Sequence, residues 1–511
     1  MSKILKFLFS RMAIIGLLIC LQLAILIFAI WKLTESFVYL YVLFSLISIF
    51  AVIYIVSTKD NPSYKLAWTI PVLLVPVFGG LFYLLFGLRK TTKKFRAKMI
   101  NIHNETAKLL TQDRDILNEI EKEDKGVANQ VKYLNKYAAS PIYKNTTTKY
   151  LSPGEDFFEK LKEELKKAKH YIFMEYFIIQ EGVMWDSILE ILEEKVKEGV
   201  DVRLIYDDMG CLRTLPYKYD EKLRQKGIRC LSFNPFVPFL SVIMNNRDHR
   251  KITIIDGHTA FTGGINLADE YINEIVRFGH WKDSSIMIRG EAVWNLTMMF
   301  LESWQFNCGQ KEDYEKYKPY VNYDKEFKGD GYVQPYGDSP LDDETVGENV
   351  YLNIINKAKE YVYINTPYLI VDNELVTALT LAAKSGVEVI IVTPHIEDKW
   401  YVHMVTRAYY AQLIEAGVKI YEYTPGFIHS KTFVSDDEIG VVGTINMDYR
   451  SLYLHFECGV LLYKTKSLME IKNDFMETLE VCKLITIEDC HRIKWSNKFI
   501  TAILRVFAPL M

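Results

Sequence analysis

The sequence predicts an α/β fold built from two related domains behind an N-terminal α-helical membrane region. Three observations predict it: an order of strands and helices that occurs twice, a polar motif repeated with unchanged spacing, and uncharged apolar runs confined to the N-terminal part of the chain. Alternation of strands with helices indicates mixed sheets flanked by helices. We expect a pseudo-twofold relation between the two domains, because the repeat spans each of them.

Residues 1–98 are predicted to anchor the chain in a membrane. Met12–Trp31 and Phe37–Val56 are uncharged runs of 20 residues, and Leu66–Leu88 is a third apolar run of 23 residues. About 20 apolar residues cross a bilayer as a helix. Two prolines and a glycine pair interrupt the third run, so a kinked span and a broken, re-entrant helix both remain open.

Basic residues flank the apolar runs on both sides, with Lys3, Lys6 and Arg11 before them and a cluster from Arg89 to Lys98 after them. Positively charged flanks favour the cytoplasm. Two full spans with one re-entrant or interfacial segment satisfy both flanks, and three full spans are the alternative. We expect a multi-pass plasma-membrane protein whose remaining chain, from about residue 89 onward, lies in the cytoplasm and whose second basic cluster attracts anionic lipids.

Charge and cysteine content exclude other classes of protein. The net charge of −3 argues against a general nucleic-acid binder. The seven cysteines are scattered and form no Cys-x-x-Cys pair, which indicates neither a zinc site nor a disulfide framework and favours a reducing compartment.

The remaining chain divides into a linker, two domains and a tail. Residues 99–135 are predicted to form a helical linker, and a solvated linker is the alternative. The two domains are predicted to cover residues 136–325 and 326–492. Residues 493–511 predict an amphipathic membrane-associated helix, because apolar residues recur at helical spacing among basic ones; packing on the protein's own core is the alternative. The duplication is also visible in two pairs of matching segments, Ala168–Ile172 with Ala358–Val362 and Gly199–Val202 with Gly386–Val389.

One polar motif occurs in both domains. Its members in the first copy recur 180 positions later, as the pairs His249 and His429, Lys251 and Lys431, Asp256 and Asp436, Gly264 and Thr444, and Asn266 and Asn446. Side chains at positions i and i+2 of a strand share one face. We therefore expect each domain to present an imidazole, an ammonium group and an amide on one surface. Such a surface can bind an anion, and we expect Gly264 and Thr444 to lie close to that anion as well.

These residue types suit phosphoryl transfer. One imidazole can attack phosphorus, and a second can protonate the leaving alkoxide. The lysines and asparagines can stabilise charge on the phosphate oxygens, so that no metal or other cofactor is needed. Asp256 and Asp436 belong to the motif and are predicted to support the site through turn or inter-strand hydrogen bonds.

The repeated His-x-Lys-x4-Asp motif, followed by Gly-x-x-Asn, resembles the phospholipase D superfamily. Segments 61–68 and 76–87, with the aromatic lead-in Tyr421, Tyr423 and Phe427, narrow the resemblance to the bacterial cardiolipin synthase family. The resemblance implies two phospholipase D-like domains and a phosphatidyl-histidine intermediate, with His249 as the favoured nucleophile; the reverse assignment stays open. It also implies an acidic residue that orients each histidine, Asp283 for His249 and Glu457 for His429.

The reaction implied by this resemblance joins two phosphatidylglycerol molecules into cardiolipin and releases glycerol. Hydrolysis by a phospholipase D, transfer to serine, a membrane-tethered nuclease and a non-catalytic lipid-binding protein are the alternatives. No nucleic-acid partner is expected, and the oligomeric state stays open. The other histidines are interpreted as structural: His103, His170, His258, His280, His395, His403, His455 and His491.

Overall fold

The computed structural model describes residues 38–87, 93–235, 246–492 and 495–510, together with short stretches between 17 and 32. Part of the first apolar run and several flanking basic residues lie outside these ranges, namely Lys3, Lys6, Arg11, Arg89, Lys90 and Lys494.

Each domain contains one mixed sheet. The strands of the first domain are β1 (Thr146–Leu151), β2 (Tyr171–Tyr176), β3 (Asp201–Asp207), β4 (Arg229–Phe233), β5 (Ile252–Ile255), β6 (Thr259–Gly263), β7 (His280–Lys282) and β8 (Ser285–Gly290). Its sheet has the order β1-β8-β6-β5-β2-β3-β4. In this sheet β2, β3 and β4 run parallel and the other neighbouring strands pair antiparallel; β7 lies outside it.

The second domain repeats this order of strands. Its strands are β9 (Tyr332–Asp338), β10 (Tyr361–Asn365), β11 (Leu369–Ile370), β12 (Glu388–Pro394), β13 (Lys419–Tyr423), β14 (Gly426–Ile428), β15 (Thr432–Ser435), β16 (Ile439–Gly443), β17 (Met447–Asp448), β18 (Glu457–Tyr463) and β19 (Cys482–Leu484). Its sheet has the order β9-β18-β16-β15-β10-β12-β13-β19. The motif strands β5 and β15 therefore hold equivalent places in the two sheets.

Helices flank the two sheets, as the sequence predicted, and the first three of the helices named next belong to the N-terminal apolar region instead. They are α1 (Val38–Ser57), α2 (Pro62–Leu74), α3 (Pro76–Phe82), α4 (Lys93–Thr106), α5 (Arg114–Glu123), α6 (Lys125–Tyr137), α7 (Gly154–Leu165), α8 (Val183–Lys197), α9 (Tyr219–Gln225), α10 (Val293–Cys308), α11 (Val346–Lys357), α12 (Asn373–Lys384), α13 (Trp400–Ala408), α14 (Tyr410–Glu415), α15 (Tyr449–Tyr453), α16 (Ser467–Glu480), α17 (Ile487–His491) and α18 (Trp495–Phe507).

The inner faces of the two sheets share one apolar core. Ile254 and Ile288 from the first domain are buried in the same cluster as Val434 and Val460 from the second. Successive strand residues point to opposite faces, so Met287, the neighbour of Ile288, packs in the outer core of the first domain. The shared core fixes how the two motif strands lie relative to each other.

The segment predicted as a linker packs against both domains: Met99 and Ile102 lie in the core shared by the two sheets, and the C-terminal part packs on the second domain. Helix α6 buries Val127, Val131 and Leu134 in the same outer core as Val350 and Ile354 of α11. Its N-terminus is capped by the Asp124 side chain, which accepts hydrogen bonds from two backbone amides. The structure therefore does not support the solvated-linker alternative.

The third apolar run is broken into two helices. Helix α2 ends at Leu74, and α3 begins at Pro76 and returns to α1, where Gly80 N donates to Ser48 Oγ at 3.0 Å. Within the described ranges, no helix combines the length and the apolar character that crossing a membrane requires. The number of spans therefore stays a prediction.

The C-terminal segment forms helix α18, which exposes two large aromatic side chains: Trp495 is 81% exposed and Phe499 is 58% exposed.

Candidate active site

Both motif histidines lie immediately before a strand. Strand β5 begins at Ile252 and β15 at Thr432, so the His-x-Lys segments are not in the strands. The prediction that histidine and lysine share a strand face is therefore wrong. Lys251 Nζ donates to the carbonyl oxygen of His249 at 2.6 Å, and Lys431 Nζ donates to that of His429. Each lysine is buried behind its histidine.

Each histidine segment is hydrogen-bonded to the other domain. His249 N donates to Phe456 O at 2.9 Å, and His429 N donates to Lys282 O at 2.7 Å. Strand β14, just before His429, pairs in parallel with β7 of the first domain. The backbone of each domain thus enters the other domain at the point where the histidine stands.

This crossing exchanges the carboxylates that orient the histidines. His249 Nδ1 lies 2.9 Å from Glu457 Oε1, and His429 Nδ1 lies 2.7 Å from Asp283 Oδ2. The expected pairing of Asp283 with His249 and of Glu457 with His429 is therefore wrong. An Nδ1–H that donates to a carboxylate leaves the Nε2 lone pair of the ring free for chemistry.

Gly264 and Thr444 hold these carboxylates. Thr444 Oγ1 donates to Glu457 Oε2, and a Cβ on Gly264 would lie only 2.1 Å from Asp283 Oδ1. Gly264 and Thr444 lie beside the carboxylates and are not among the residues that line the cavity. The prediction that these two residues contact a bound phosphate is therefore wrong. The two positions are equivalent in the repeat, and each accommodates the carboxylate of its own domain.

Asn266 and Asn446 do reach the cavity between the domains. The Asn266 side chain accepts a hydrogen bond from Ile178 N and donates one to Tyr271 Oη, so its orientation is fixed. Asn446 Oδ1 is buried and accepts no hydrogen bond from any described residue.

Asp256 and Asp436 lie at the far end of the motif strands and outside the cavity. The Asp256 carboxylate accepts hydrogen bonds from the backbone amides of residues 169–171, and Asp436 accepts from those of residues 359–361. Both residues have a positive φ, 50° and 55°. Each therefore ties the end of a motif strand to the start of the neighbouring strand, and neither is a catalytic residue.

The cavity between the domains has a volume of about 790 Å³ and is lined by both histidines. Aromatic rings support each imidazole. Phe177 lies edge-on to His249 with ring centroids 5.0 Å apart, and Trp281 and Tyr271 lie 5.2 and 5.6 Å from His429. Two histidines from different domains therefore face one space that is large enough for a phospholipid headgroup.

Burial and neighbouring charges shift the pKa of both histidines, both lysines and both of the carboxyl groups beside the histidines. Burial and then Lys251 lower the pKa of His249 well below its ordinary value. Burial and then Lys431 lower the pKa of His429 to about 4. Burial lowers the pKa of Lys251 to about 8 and that of Lys431 to about 7. An anion in the cavity would oppose all four shifts, because it favours the charged form of each cation.

The two carboxylates differ from each other. Burial raises the pKa of Glu457 to about 8, although Lys251 acts against it. Burial also acts to raise the pKa of Asp283, but His429 and Lys431 outweigh it and hold this pKa below the ordinary value. At neutral pH Asp283 is a carboxylate, whereas Glu457 is largely protonated.

Several cavity residues were not predicted from the sequence, among them three basic ones. His455, interpreted there as structural, lies with its ring centroid 5.6 Å from that of His249. Arg247 and Arg450 line the same cavity. The only signal in the sequence is position, since Arg247 stands two residues before His249 and His455 two residues before Glu457.

Comparisons with known proteins identify the family of the chain. A family model described as "Cardiolipin synthase, PLD-like domain" matches residues 161–276 and 351–479, and one described as "Phospholipase_D-nuclease N-terminal" matches residues 46–87. A cardiolipin synthase of Halalkalibacterium halodurans is 35% identical over 92% of this chain and 93% of its own length. The chain belongs to the phospholipase D-like cardiolipin synthase family. It is therefore a phosphatidyltransferase, and the family is membrane-associated.

Two further relatives extend the comparison. A cardiolipin synthase of Alkalihalophilus pseudofirmus is 36% identical over 92% of this chain and 93% of its own length. A solved structure, the phosphatidylserine synthase of Haemophilus influenzae, superposes with a TM-score of 0.55 at 14% identity, covering 75% of this chain and 97% of its own. That likeness supports the two-domain fold alone.

Proposed function

We propose that this chain joins two phosphatidylglycerol molecules into cardiolipin and releases glycerol. The observation that carries the proposal is the pair of histidines, one from each domain, that face one cavity with their Nδ1 atoms held by buried carboxylates. The named relatives, which align over nearly their whole lengths, supply the choice of substrate.

In the first step His249 Nε2 attacks the phosphorus of the donor lipid. The N–P bond forms, the bond from phosphorus to the glycerol oxygen breaks, and His429 gives its proton to the leaving alkoxide. His249 suits the nucleophile, because its lowered pKa keeps the ring neutral. Burial lowers the pKa of His429 to about 4, so the acid role requires the bound phosphate, together with the ionised Asp283, to stabilise the imidazolium form of this ring.

In the second step the hydroxyl of another phosphatidylglycerol attacks the phosphatidyl-histidine. His429, now neutral, takes the hydroxyl proton as the O–P bond forms and the N–P bond breaks. Lys251 and Lys431 supply positive charge behind the imidazoles, and Asn266 and Asn446 offer amide donors on the cavity wall. These groups can offset the phosphate charge without a metal.

One incubation tests the reaction. Membranes that carry the chain are given labelled phosphatidylglycerol, with and without serine, and the His249→Ala chain serves as control. We expect labelled cardiolipin and free glycerol in both conditions from the unaltered chain only. Phosphatidic acid as the main product would contradict the proposal in favour of hydrolysis, and a serine-dependent phosphatidylserine product would contradict it in favour of transfer to serine.

We also propose that the chain is multi-pass in the plasma membrane with its two domains in the cytoplasm. The basic residues on both flanks of the apolar runs support this orientation. Cys308 and Cys482 are partly exposed, so both can report it. A membrane-impermeant thiol reagent should label them only after permeabilisation; labelling in intact cells would contradict the orientation.

A further inference from the structure

His455 is a buried histidine whose imidazole ring makes no hydrogen bond to any described residue. His455 is 7% exposed, and neither nitrogen of its ring has a hydrogen-bond partner among the described residues. Glu457 Oε1 is 3.8 Å from Nδ1, which is too far for a hydrogen bond. Buried polar atoms are usually paired, and this ring lines the open cavity, where a ligand can supply the missing partner.

Two arginines stand beside this ring. Arg247 is 3% exposed; its Nε and Nη2 donate to backbone carbonyls, but its buried Nη1 has no partner among the described residues. Arg450 lines the cavity, and its carbonyl oxygen accepts a hydrogen bond from His455 N at 3.1 Å. We name Arg247, Arg450 and His455 the basic corner of the cavity.

The charge around the basic corner is positive. The pKa of His455 is lowered well below its ordinary value, by burial first and then by Arg450, His249 and Lys251. Two carboxylates offset part of the charge: Asp207 lies 3.4 Å from Arg247 Nε, and Asp448 accepts a hydrogen bond from Ser451 N. Both carboxylates are already engaged, whereas Arg247 Nη1 and the two ring nitrogens of His455 have no hydrogen-bond partner among the described residues.

A cation is a poor occupant of this place. His249, His455 and Glu457 have ligand atoms within 4.8 Å of one another, a spacing that could suit a metal. However, Glu457 already holds His249 and Thr444, and the surrounding arginines and lysines would repel a divalent ion. Unpaired guanidinium and imidazole groups instead recognise an oxyanion.

We propose that the basic corner binds the phosphodiester of the acceptor lipid. This inference rests on the proposed function and names the feature that selects a lipid acceptor over water. Phosphatidylglycerol carries its attacking hydroxyl and its own phosphodiester on one three-carbon glycerol. An anchor for that phosphodiester beside His249 would hold the hydroxyl at the phosphatidyl-histidine. The chemistry of the second step is unchanged: the corner orients the acceptor and moves no proton.

Competition between two acceptors tests the proposal. Full-length chain in phosphatidylglycerol vesicles is supplied with ethanol, and the ratio of cardiolipin to phosphatidylethanol is measured. Ethanol has no phosphate, so its transfer does not use the basic corner. In Arg450→Gln and in His455→Gln the ratio should fall at least tenfold, because the anionic acceptor alone loses its anchor.

Arg277→Gln is the matched control, because it removes an arginine from the same cavity that is exposed and paired with Glu270; its ratio should stay within twofold. An unchanged ratio in both test variants would overturn the inference. Loss of both products in both variants would also overturn it, since the corner would then serve the donor lipid. If the unaltered chain made phosphatidylethanol but no cardiolipin, the proposed function itself would fail.

Discussion

The two halves of the active site have the same parts but different electrostatics. Each half holds a histidine between a lysine of its own domain and a carboxylate of the other. In one half Glu457 has its pKa raised to about 8, and in the other Asp283 keeps its pKa below the ordinary value. One histidine therefore faces a largely protonated partner and the other a carboxylate.

This difference indicates how a duplicated motif can perform two unlike roles. A nucleophile must keep its ring neutral, and a general acid needs a partner that stabilises the protonated ring. His249 with Glu457 suits the first role and His429 with Asp283 the second. The exchange of carboxylates also makes each half incomplete without the other, so that neither domain alone can hold an oriented histidine.

Removal of either histidine should have the largest effect. His249→Ala and His429→Ala should each lower cardiolipin formation by several powers of ten, because nucleophile and acid act as a unit. The two variants should differ with a phosphatidyl-p-nitrophenol donor, whose leaving group needs no proton. His429→Ala should still release a burst of p-nitrophenol, and His249→Ala should not. Equal loss of the burst in both would remove the distinction between the halves.

The carboxylates should show the exchange directly. Asp283→Asn and Glu457→Ala should each lower the rate with phosphatidylglycerol by about 10²–10⁴-fold, as loss of a histidine-orienting group does elsewhere. The p-nitrophenol donor should restore the burst in Asp283→Asn, where the acid is impaired, but not in Glu457→Ala. If each carboxylate instead oriented the histidine of its own domain, the burst should return in the Glu457 variant and not in Asp283→Asn. Asp256→Asn is the control, since it removes a motif carboxylate outside the cavity and should leave the ratio of the two donors unchanged.

The lysines should set a basic limb in the pH profile. Lys431 and Lys251 have pKa values of about 7 and 8, so their charge is present below these values and is lost as the pH rises through them. His249, with a pKa well below 6.5, stays neutral in this window. We expect kcat/KM to fall above pH 7–8. The limb should persist in Glu457→Gln; its disappearance there would assign it to Glu457 instead.

Local features of the site could be predicted from the sequence because the repeat marks them. Identical spacing located both histidines, and the alternation of strands and helices predicted the two flanked sheets. The position of Asn266 on the cavity wall also follows from the repeat, since Asn446 matches it. The strand assignment failed for Lys251 because the strand begins one residue later, after the lysine has turned towards the histidine carbonyl.

Contacts between the domains could not be predicted. Glu457 pairs with His249 because the segment around Phe456 is hydrogen-bonded to the first domain. This contact between the domains cannot be inferred from the spacing of residues along the sequence. For the same reason His455 looked like an isolated histidine, because its neighbour in space is His249, 206 residues earlier in the sequence.

The most direct test of the unequal halves is to locate the covalent intermediate. The His429→Ala chain is mixed with phosphatidyl-p-nitrophenol, quenched after the burst and digested, and the phosphatidylated peptide is identified by mass spectrometry. The raised pKa of Glu457 beside His249 and the lowered pKa of Asp283 beside His429 predict the adduct on the peptide that contains His249. The complementary His249→Ala chain should carry no adduct. An adduct on His429 in that chain, with none on His249 in the first, would contradict the assignment of the two halves.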